Sequence, residues 1–387
     1  MAMITSPQGV LAVLVGVAAF YFLVAERTGW KMWDFFPPLI WIYATPVVLN
    51  NLGVVPTESA VYDALRLVGL PMFIVLMLIN VDVGAAIRVM GKGVLVMLLG
   101  TVGIVVGAVV SYAVVNRWLS PDAWSGFGAL AGSWIGGTGN MAAAAEALET
   151  PPEEFGLAIL ADNVVYVVWL PILLGSKAFA DRFNRWARVR EGRIREMEEA
   201  IAAESAGEER PVRMVDYLYL GALAGGVTWI SHAVAAMLPE IGAVLSTSTW
   251  NILLVTTFSL ILSRTPVRRL PGSHDLAMAL IYVFVAGMGA RAALSGLGQA
   301  PAFLAGAFLW ITIHGLFCVA GAWIFRVDIH SVAIASAANV GGAASAPVVA
   351  AYHRESLVPA SILMALIGYA LGNYLAILTG QLCRLVG

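Results

Sequence analysis

Charged side chains are scarce in this sequence. Only 12% of its 387 residues are Asp, Glu, Lys or Arg, which is about half the share of an ordinary soluble domain. Hydrophobic residues make up 60% of the chain and the mean hydropathy is +0.85, so a lipid bilayer is the expected solvent. The net charge of −2 gives no reason to expect a nucleic-acid partner.

Cysteine is also scarce, and several catalytic motifs are absent. Cys318 and Cys383 both lie in apolar segments, which excludes a disulfide framework. The sequence has no cluster with metal-ligand spacing, no Gly-x-Ser-x-Gly and no phosphate loop ending in Gly-Lys-Ser/Thr. We therefore expect neither an enzyme nor an organic cofactor, and no ATP-driven transport by this chain alone. No basic region precedes the first apolar run, so Gly9 to Val24 reads as a retained helix rather than a cleaved signal peptide.

Long apolar runs predict an all-α, multi-pass membrane protein. About 18 or more apolar residues are needed for a helix to cross a bilayer. Such runs lie near residues 9–25, 37–54, 64–84, 93–115, 156–178, 215–238, 249–264, 276–294, 302–325 and 357–382.

One long polar stretch, residues 179–213, divides the chain. Its arginines and glutamates recur at helical spacing, which predicts a solvated helix, and its arginine content predicts a cytoplasmic location. A regulatory or partner-binding loop is the alternative. The two halves, 1–178 and 214–387, look like copies: Leu78–Ala85 resembles Phe284–Arg291 at an offset of 206 (284 − 78).

Each half contains a glycine-rich break in an apolar segment. The first lies in 122–149 and the second in 329–355, and their double glycines are 205 residues apart (341 − 136). Broken backbone at membrane depth survives only where protein or a water-filled cavity surrounds it. Two breaks in corresponding places are the best sequence indication of a transporter's binding site. We expect solute to contact Gly136, Gly137, Thr138, Gly139, Asn140, Asn339, Gly341, Gly342 and Ser345.

The course of the broken segments sets the topology. If each crosses the bilayer as a discontinuous helix, each half has six crossings and the copies are parallel. If each is a re-entrant hairpin, each half has five transmembrane helices and the copies are inverted. The hairpin alternative places more Lys and Arg on the side of the 179–213 linker, so the positive-inside rule favours it.

Chemistry at the breaks points to an anionic solute and a cation. Glycines permit close approach to backbone, and a helix that restarts after a break offers free N–H groups to an anion. Asp162-Asn163 lies two turns into the next apolar helix, where an acid is a functional candidate. It predicts a Na⁺ ligand or a proton carrier at Asp162, with Asn373 as a polar wall residue. Packing through small residues is the competing interpretation of the glycines.

At Asn51-Leu-Gly53, Tyr62-Asp63, Asn80-Val-Asp82 and the two breaks, the chain resembles the DUF819 family of bacterial membrane proteins. The resemblance covers nearly the whole chain except the linker, and it implies a location in the bacterial inner membrane. The family is similar to sodium- or proton-coupled carriers, which include glutamate, citrate and bile-acid symporters and sodium/proton antiporters. The resemblance implies a core, 93–178 with 301–387, that moves against a scaffold, 1–92 with 214–300. Such scaffolds often form homodimers.

The sequence therefore favours an ion-coupled secondary transporter of a small, anionic organic solute, with Na⁺ or H⁺ as coupling ion. Two alternatives stay open. One is a sodium/proton antiporter without an organic substrate. The other is a membrane subunit of an ion-pumping enzyme complex, which would bind a soluble partner through the linker.

Overall fold

The computed structural model describes residues 2–30, 32–35, 37–190, 192–204, 210–241, 245–292 and 298–387, and these residues are helical without a β-strand. Residues 191 and 205–209 of the predicted linker lie outside the described residues, as do 242–244 and 293–297 of the predicted scaffold. The helices before the linker are α1 (Pro7–Thr28), α2 (Pro38–Asn51), α3 (Ala60–Leu78), α4 (Val83–Met90), α5 (Lys92–Val115), α6 (Ala123–Ala147) and α7 (Pro152–Gly175).

The linker and the second half continue this helical pattern. Their helices are α8 (Ala180–Trp186), α9 (Arg193–Glu204), α10 (Met214–Ala235), α11 (Thr247–Leu262), α12 (Ser273–Arg291), α13 (Ala300–Phe325), α14 (Ile329–Val340), α15 (Gly342–His353) and α16 (Val358–Val386). Short helical turns at Met32–Phe35, Asn116–Trp118, Ser176–Phe179, Pro266–Arg269 and Glu355–Leu357 lie between them.

Eight helices among the described residues are long and apolar enough to cross a membrane: α1, α3, α5, α7, α10, α12, α13 and α16. Each coincides with one of the predicted apolar runs, and the other two runs match α2 and α11. Side chains such as Phe20 and Trp229 are exposed on these helices, which is favourable only against lipid. The chain is thus a multi-pass membrane protein.

Two sequence-based expectations need correction. The third predicted helix, 64–84, lies at Ala60–Leu78 and ends before Asp82, whose carboxylate caps α4 by accepting the Ala85 N–H at 3.0 Å. The sequence match between Leu78–Ala85 and Phe284–Arg291 aligns the turn before α4 with residues that are helical in α12. Equivalence of the halves cannot rest on this local similarity.

Two tight helix pairs form the centre of the fold. In α5, Gly100, Gly103 and Gly107 lie directly against α13, where a Cβ at Gly107 would lie 2.6 Å from the Trp310 ring. In α6 and α16, a Cβ at Gly128 would lie 2.9 Å from the Cα of Gly380. Small residues at a spacing of three or four allow helices to approach this closely in membranes.

The first broken helix, α6, folds back on itself. Its backbone leaves helical geometry at Gly136 (φ −140°) and Gly137 (φ +77°). A Cβ at Gly132 would lie 2.5 Å from the carbonyl oxygen of Asn140. Further from the break, the Thr150 hydroxyl donates to the carbonyl of Ser125 at 3.3 Å. The two limbs of α6 therefore lie side by side.

The second broken helix consists of α14 and α15, which also fold back on each other. Gly341 separates them, and Gly342 has φ +59°. At the other end of the pair, Nδ1 of His330 lies 3.0 Å from Nδ1 of His353. Positive φ is readily adopted by glycine alone, which explains why Gly137 and Gly342 occupy the two turns.

The broken helices open toward opposite ends of the bundle. On the end that carries α8 and α9, the linker face, Asn184 accepts the Ile329 N–H at the start of α14 (3.1 Å). On the far face, Thr249 donates to the carbonyl of Ala147 at the end of α6 (2.7 Å). Asn116 donates to the carbonyl of Val386 at this same face (3.3 Å). The glycine turns consequently lie inside the bundle.

Candidate functional site

The turns of the two broken helices meet. A Cβ at Gly342 would lie 3.7 Å from the Cα of Gly137, so the two glycines that the sequence analysis placed 205 residues apart are neighbours. Residues on both sides of this meeting point, Thr138, Gly341 and Ser345, are half-buried rather than enclosed. Predicted solute-contacting residues from both halves therefore share one location.

Tyr369 of α16 lies between the turns. Its ring carbon Cε1 would be 3.3 Å from a Cβ at Gly137 and 3.6 Å from one at Gly342. Its hydroxyl accepts the Ala343 N–H at 3.3 Å, which satisfies one of the first free N–H groups of α15. The tyrosine thus holds both turns at a fixed separation.

Asp162 faces the first broken helix. Its two carboxylate oxygens accept hydrogen bonds from the Ser133 hydroxyl (3.0 Å) and the Trp134 Nε1–H (2.9 Å). No Lys, Arg or His that the structure describes forms an ion pair with it. A carboxylate accepts about four hydrogen bonds or ligands, so two neutral donors leave capacity for a cation or a proton.

Tyr166 connects Asp162 to the second broken helix. It follows Asp162 by four residues, so both lie on one face of α7. A Cβ at Gly341 would lie 3.1 Å from the Tyr166 ring and would overlap the Ser345 hydroxyl oxygen, so the two side chains flank the same glycine. One face of α7 therefore contacts both broken helices, and Asp162 lies between them.

Other predicted residues of the first break fix the turn in place. Asn140 is buried, and its amide donates to the carbonyl of Tyr369 at 3.1 Å. A Cβ at Gly136 would lie 2.7 Å from the carbonyl oxygen of Gly368, and one at Gly139 would overlap the Phe73 ring of α3. Gly136, Gly139 and Asn140 are thus needed for close packing, which was the competing interpretation of the glycines.

Three predicted side chains point elsewhere. Asn339 is fully buried against α5, where it donates to the carbonyl of Met97 (3.1 Å) and accepts from Thr101 (3.2 Å). Asn163 donates to its own helix at the carbonyl of Ile159 (2.7 Å). Asn373 donates to Thr256 of α11 (2.7 Å) rather than to Asp162. Their direct roles in solute or cation binding stay predictions without a supporting contact.

Two further acids, Glu146 and Asp82, form ion pairs within the protein. Glu146 pairs with Arg66 of α3 at 3.2 Å and so joins α6 to the predicted scaffold. Asp82 pairs with Arg268 on the linker face. Burial alone would raise the pKa of Asp82, but the Ala85 N–H and the Arg268 guanidinium together hold it below its usual value. Both acids are accounted for without a ligand.

Sequence reasoning missed Tyr369, Tyr166, Ser133 and Trp134. The spacing of Tyr166 from Asp162 was readable, because residues four apart share a helix face. Nothing in the sequence distinguishes Tyr369 from other aromatic residues of an apolar helix. Ser133 and Trp134 adjoin the first break, but their direction follows from the fold of α6.

The donor set at Asp162 is a single carboxylate. Within the described ranges no three His, Cys, Asp or Glu side chains converge as a metal site would require. With two neutral donors on it, the Asp162 carboxylate keeps acceptor capacity beside the first broken helix. A proton or a hard cation is what such an oxygen donor can bind.

The fold and this site define a class: a multi-pass α-helical membrane protein with two broken helices meeting inside the bundle. The chain belongs to the DUF819 family, a protein family of unknown function, whose model matches residues 12–386. It is similar to the uncharacterized membrane protein YjcL of Bacillus subtilis (strain 168), with 28% identity over 348 residues, 87% of each chain. The predicted family is thereby confirmed.

Proposed function

We propose that this protein is an ion-coupled secondary transporter of a small anionic organic solute, with the solute at the meeting point of the two glycine turns. The observation that carries the proposal is the contact of Gly137 with Gly342 beside Tyr369. Broken backbone inside a membrane bundle requires a compensating environment, and two breaks meeting at one point is the arrangement of a transporter site.

Coupling is assigned to Asp162. An acid within a membrane segment costs about 2.5–3.5 kcal/mol on insertion scales, and neutral hydrogen bonds from Ser133 and Trp134 offset only part of it. A bound Na⁺ or a proton neutralises the carboxylate. Because Tyr166 lies on the same face of α7 as Asp162 and its ring adjoins Gly341, cation binding at Asp162 has a route to the second broken helix.

An anionic solute fits the N-terminal ends at the turns. The second limb of α6 and α15 both begin at the meeting point, and helix N-termini carry partial positive charge. Thr138 and Ser345 are half-buried there and offer hydroxyl groups. Affinity for an anion would come from backbone N–H groups and the bound cation.

The topology that we propose has two inverted repeats of five transmembrane helices, each with a re-entrant hairpin. In its favour, α6 opens on the far face and α14–α15 on the linker face. Corresponding long helices run in opposite directions: α5 ends beside the start of α13, where the Gln299 side chain accepts the Ser120 N–H at 2.6 Å. A cytoplasmic linker, a core moving against a scaffold, and a homodimer through scaffold helices complete the proposal.

A ligand screen tests the solute assignment. Thermal stability of the purified protein is measured with amino acids, short peptides and carboxylates, each with and without Na⁺. A ligand at 100 times its Kd stabilises the folded state by about 2.7 kcal/mol. We expect a hit among anions that requires Na⁺ or low pH and disappears in Gly342→Val. Gly221→Val, where the added Cβ meets no atom within 4 Å, is the matched control.

The screen also separates the alternatives. Stabilisation by Na⁺ or H⁺ without any organic solute would favour a sodium/proton antiporter. A soluble protein that co-purifies through the linker would favour a subunit of an ion-pumping complex. No response to any solute or cation in the wild-type protein would overturn the transporter proposal.

A further inference from the structure

A cavity of about 640 Å³ opens on the linker face, away from the glycine turns. Its walls come from the corner between α4 and α5, the end of α13 and the linker. The wall side chains are strongly cationic, and Glu196 is the single carboxylate that the described residues place among them. The cations are Arg88, Lys92, Arg188, Arg190, Arg193 and Arg326.

Internal ion pairs neutralise only part of this charge. Arg190 pairs with Glu196, and Arg193 pairs with Asp328 at the start of α14. Lys92, Arg188 and Arg326 form no ion pair with any acid that the structure describes. The positive-inside rule accounts for the sign of these residues, but it does not require them to converge on one cavity from three separate segments.

The backbone adds to the positive potential. Helix α5 starts at Lys92 within the cavity wall, so its first N–H groups and the positive end of its dipole lie there. Arg188 and Arg326 have positive φ angles of 53° and 57°. Residues other than glycine adopt this conformation at a cost, and here it belongs to two of the three cavity cations that form no ion pair with a described acid.

We infer that this cavity is a binding site for a phosphate-bearing anion. Guanidinium groups bind phosphate through paired, charge-assisted hydrogen bonds, and the volume lies within the usual range for small-molecule sites of about 300–1,000 Å³. A soluble phosphate ester and the headgroup of an anionic phospholipid present the same chemistry at this face. The site is separate from the proposed solute site.

The cavity is linked to the second broken helix through Arg193. Arg193 lines the cavity and also holds Asp328 and Ser331 at the base of α14, with 3.1 Å to the Ser331 hydroxyl. Its other nitrogen donates to the carbonyl of Met90 at 3.4 Å. A bound anion would keep the linker docked on α14. An effect of the bound anion on transport rests on the proposed function, whereas anion binding to the cavity is independent of it.

The test measures anion binding to the full-length protein in neutral detergent. Inorganic phosphate, pyrophosphate and ATP are titrated without Mg²⁺, with heat release and thermal stability as readouts. In a second arm, the protein is placed in nanodiscs of zwitterionic lipid or of lipid containing phosphatidylglycerol. We expect saturable binding in at least one arm, and weaker binding as salt rises.

Matched double variants locate the site. Lys92→Gln with Arg326→Gln should weaken binding by about tenfold or more, the factor expected for lost charge-assisted contacts. Arg264→Gln with Arg269→Gln removes the same charge from the same face outside the cavity and should leave affinity within about twofold.

Saturation by pyrophosphate or ATP in detergent identifies a soluble anion, and a response to phosphatidylglycerol alone identifies a headgroup. No saturable response of the wild-type protein in either arm, or equal losses in both double variants, overturns the inference.

Discussion

The two broken helices share a glycine turn but differ in how firmly the rest of the chain holds them. The first is enclosed: Gly128, Gly136 and Asn140 lie in direct contact with α16. The second differs between its two limbs. Helix α14 is buried and its Ser336 accepts the Trp169 Nε1–H of α7 (3.0 Å), whereas Ala343 and Ser345 of α15 are half-buried. We interpret the first broken helix as the fixed wall of the site and α15 as the part able to move.

Replacing a glycine by alanine should give the largest difference in stability loss between the two broken helices. A Cβ at Gly132 would lie 2.5–2.9 Å from backbone atoms of Asn140 and Met141, whereas one at Gly342 would meet nothing closer than 3.6 Å. We expect Gly132→Ala to cost about 2–3 kcal/mol or to prevent folding, and Gly342→Ala to cost about 1 kcal/mol, the strain of its positive φ. Thermal unfolding in detergent measures both, with Gly221→Ala as control. Equal losses would contradict the comparison.

Thiol labelling should show the next largest contrast. The native Cys318 and Cys383 are buried, so background reaction with a water-soluble maleimide is expected to be slow. Ser345→Cys, in the half-buried second break, should react at least about tenfold faster than Ser133→Cys, whose side chain is buried. Comparable rates would mean that the first break is as accessible as the second.

Truncating a polar side chain should again destabilise the protein more in the first broken helix than in the second, by a smaller margin. Asn140→Ala removes the bond to the Tyr369 carbonyl and leaves that buried acceptor without its donor, at a cost of about 1–3 kcal/mol. Ser345→Ala truncates a half-buried side chain and should cost less than about 1 kcal/mol. Denaturation midpoints of the two variants provide the measurement. A larger loss for Ser345→Ala would reverse the assignment of fixed and movable parts.

The ion pair between Glu146 and Arg66 should matter least for stability. The arginine side chain is 36% exposed, and such pairs are worth about 0–1 kcal/mol. Because the pair links α6 to the predicted scaffold, we expect Glu146→Gln to leave the melting temperature nearly unchanged while altering the rate of any transport cycle. A loss above about 2 kcal/mol would show that α6 depends on the scaffold for its fold.

The sequence was sufficient for the helices and for the existence of the breaks. A long apolar run must be helical inside a bilayer, and the pairs Gly136-Gly137 and Gly341-Gly342 interrupt two apolar segments of the sequence. It could not distinguish packing from binding at single residues, because Asn140 and Asn339 differ from free ligands only through neighbours on α16 and α5. Tyr369 was unpredictable for the same reason, since its role depends on two turns distant in sequence. The basic cavity was hidden because its cations come from three separate segments.

Solute accumulation in proteoliposomes tests the central claim, that Asp162 couples an ion to a solute held between the two turns. A ligand from the stability screen is supplied with an imposed Na⁺ or H⁺ gradient. The variants are Asp162→Asn and, as control, Asp63→Asn at an exposed site. The account predicts that the wild-type protein and Asp63→Asn accumulate solute only with one of these gradients, and that Asp162→Asn does not accumulate it. Gradient-driven accumulation by Asp162→Asn at the wild-type level would contradict it.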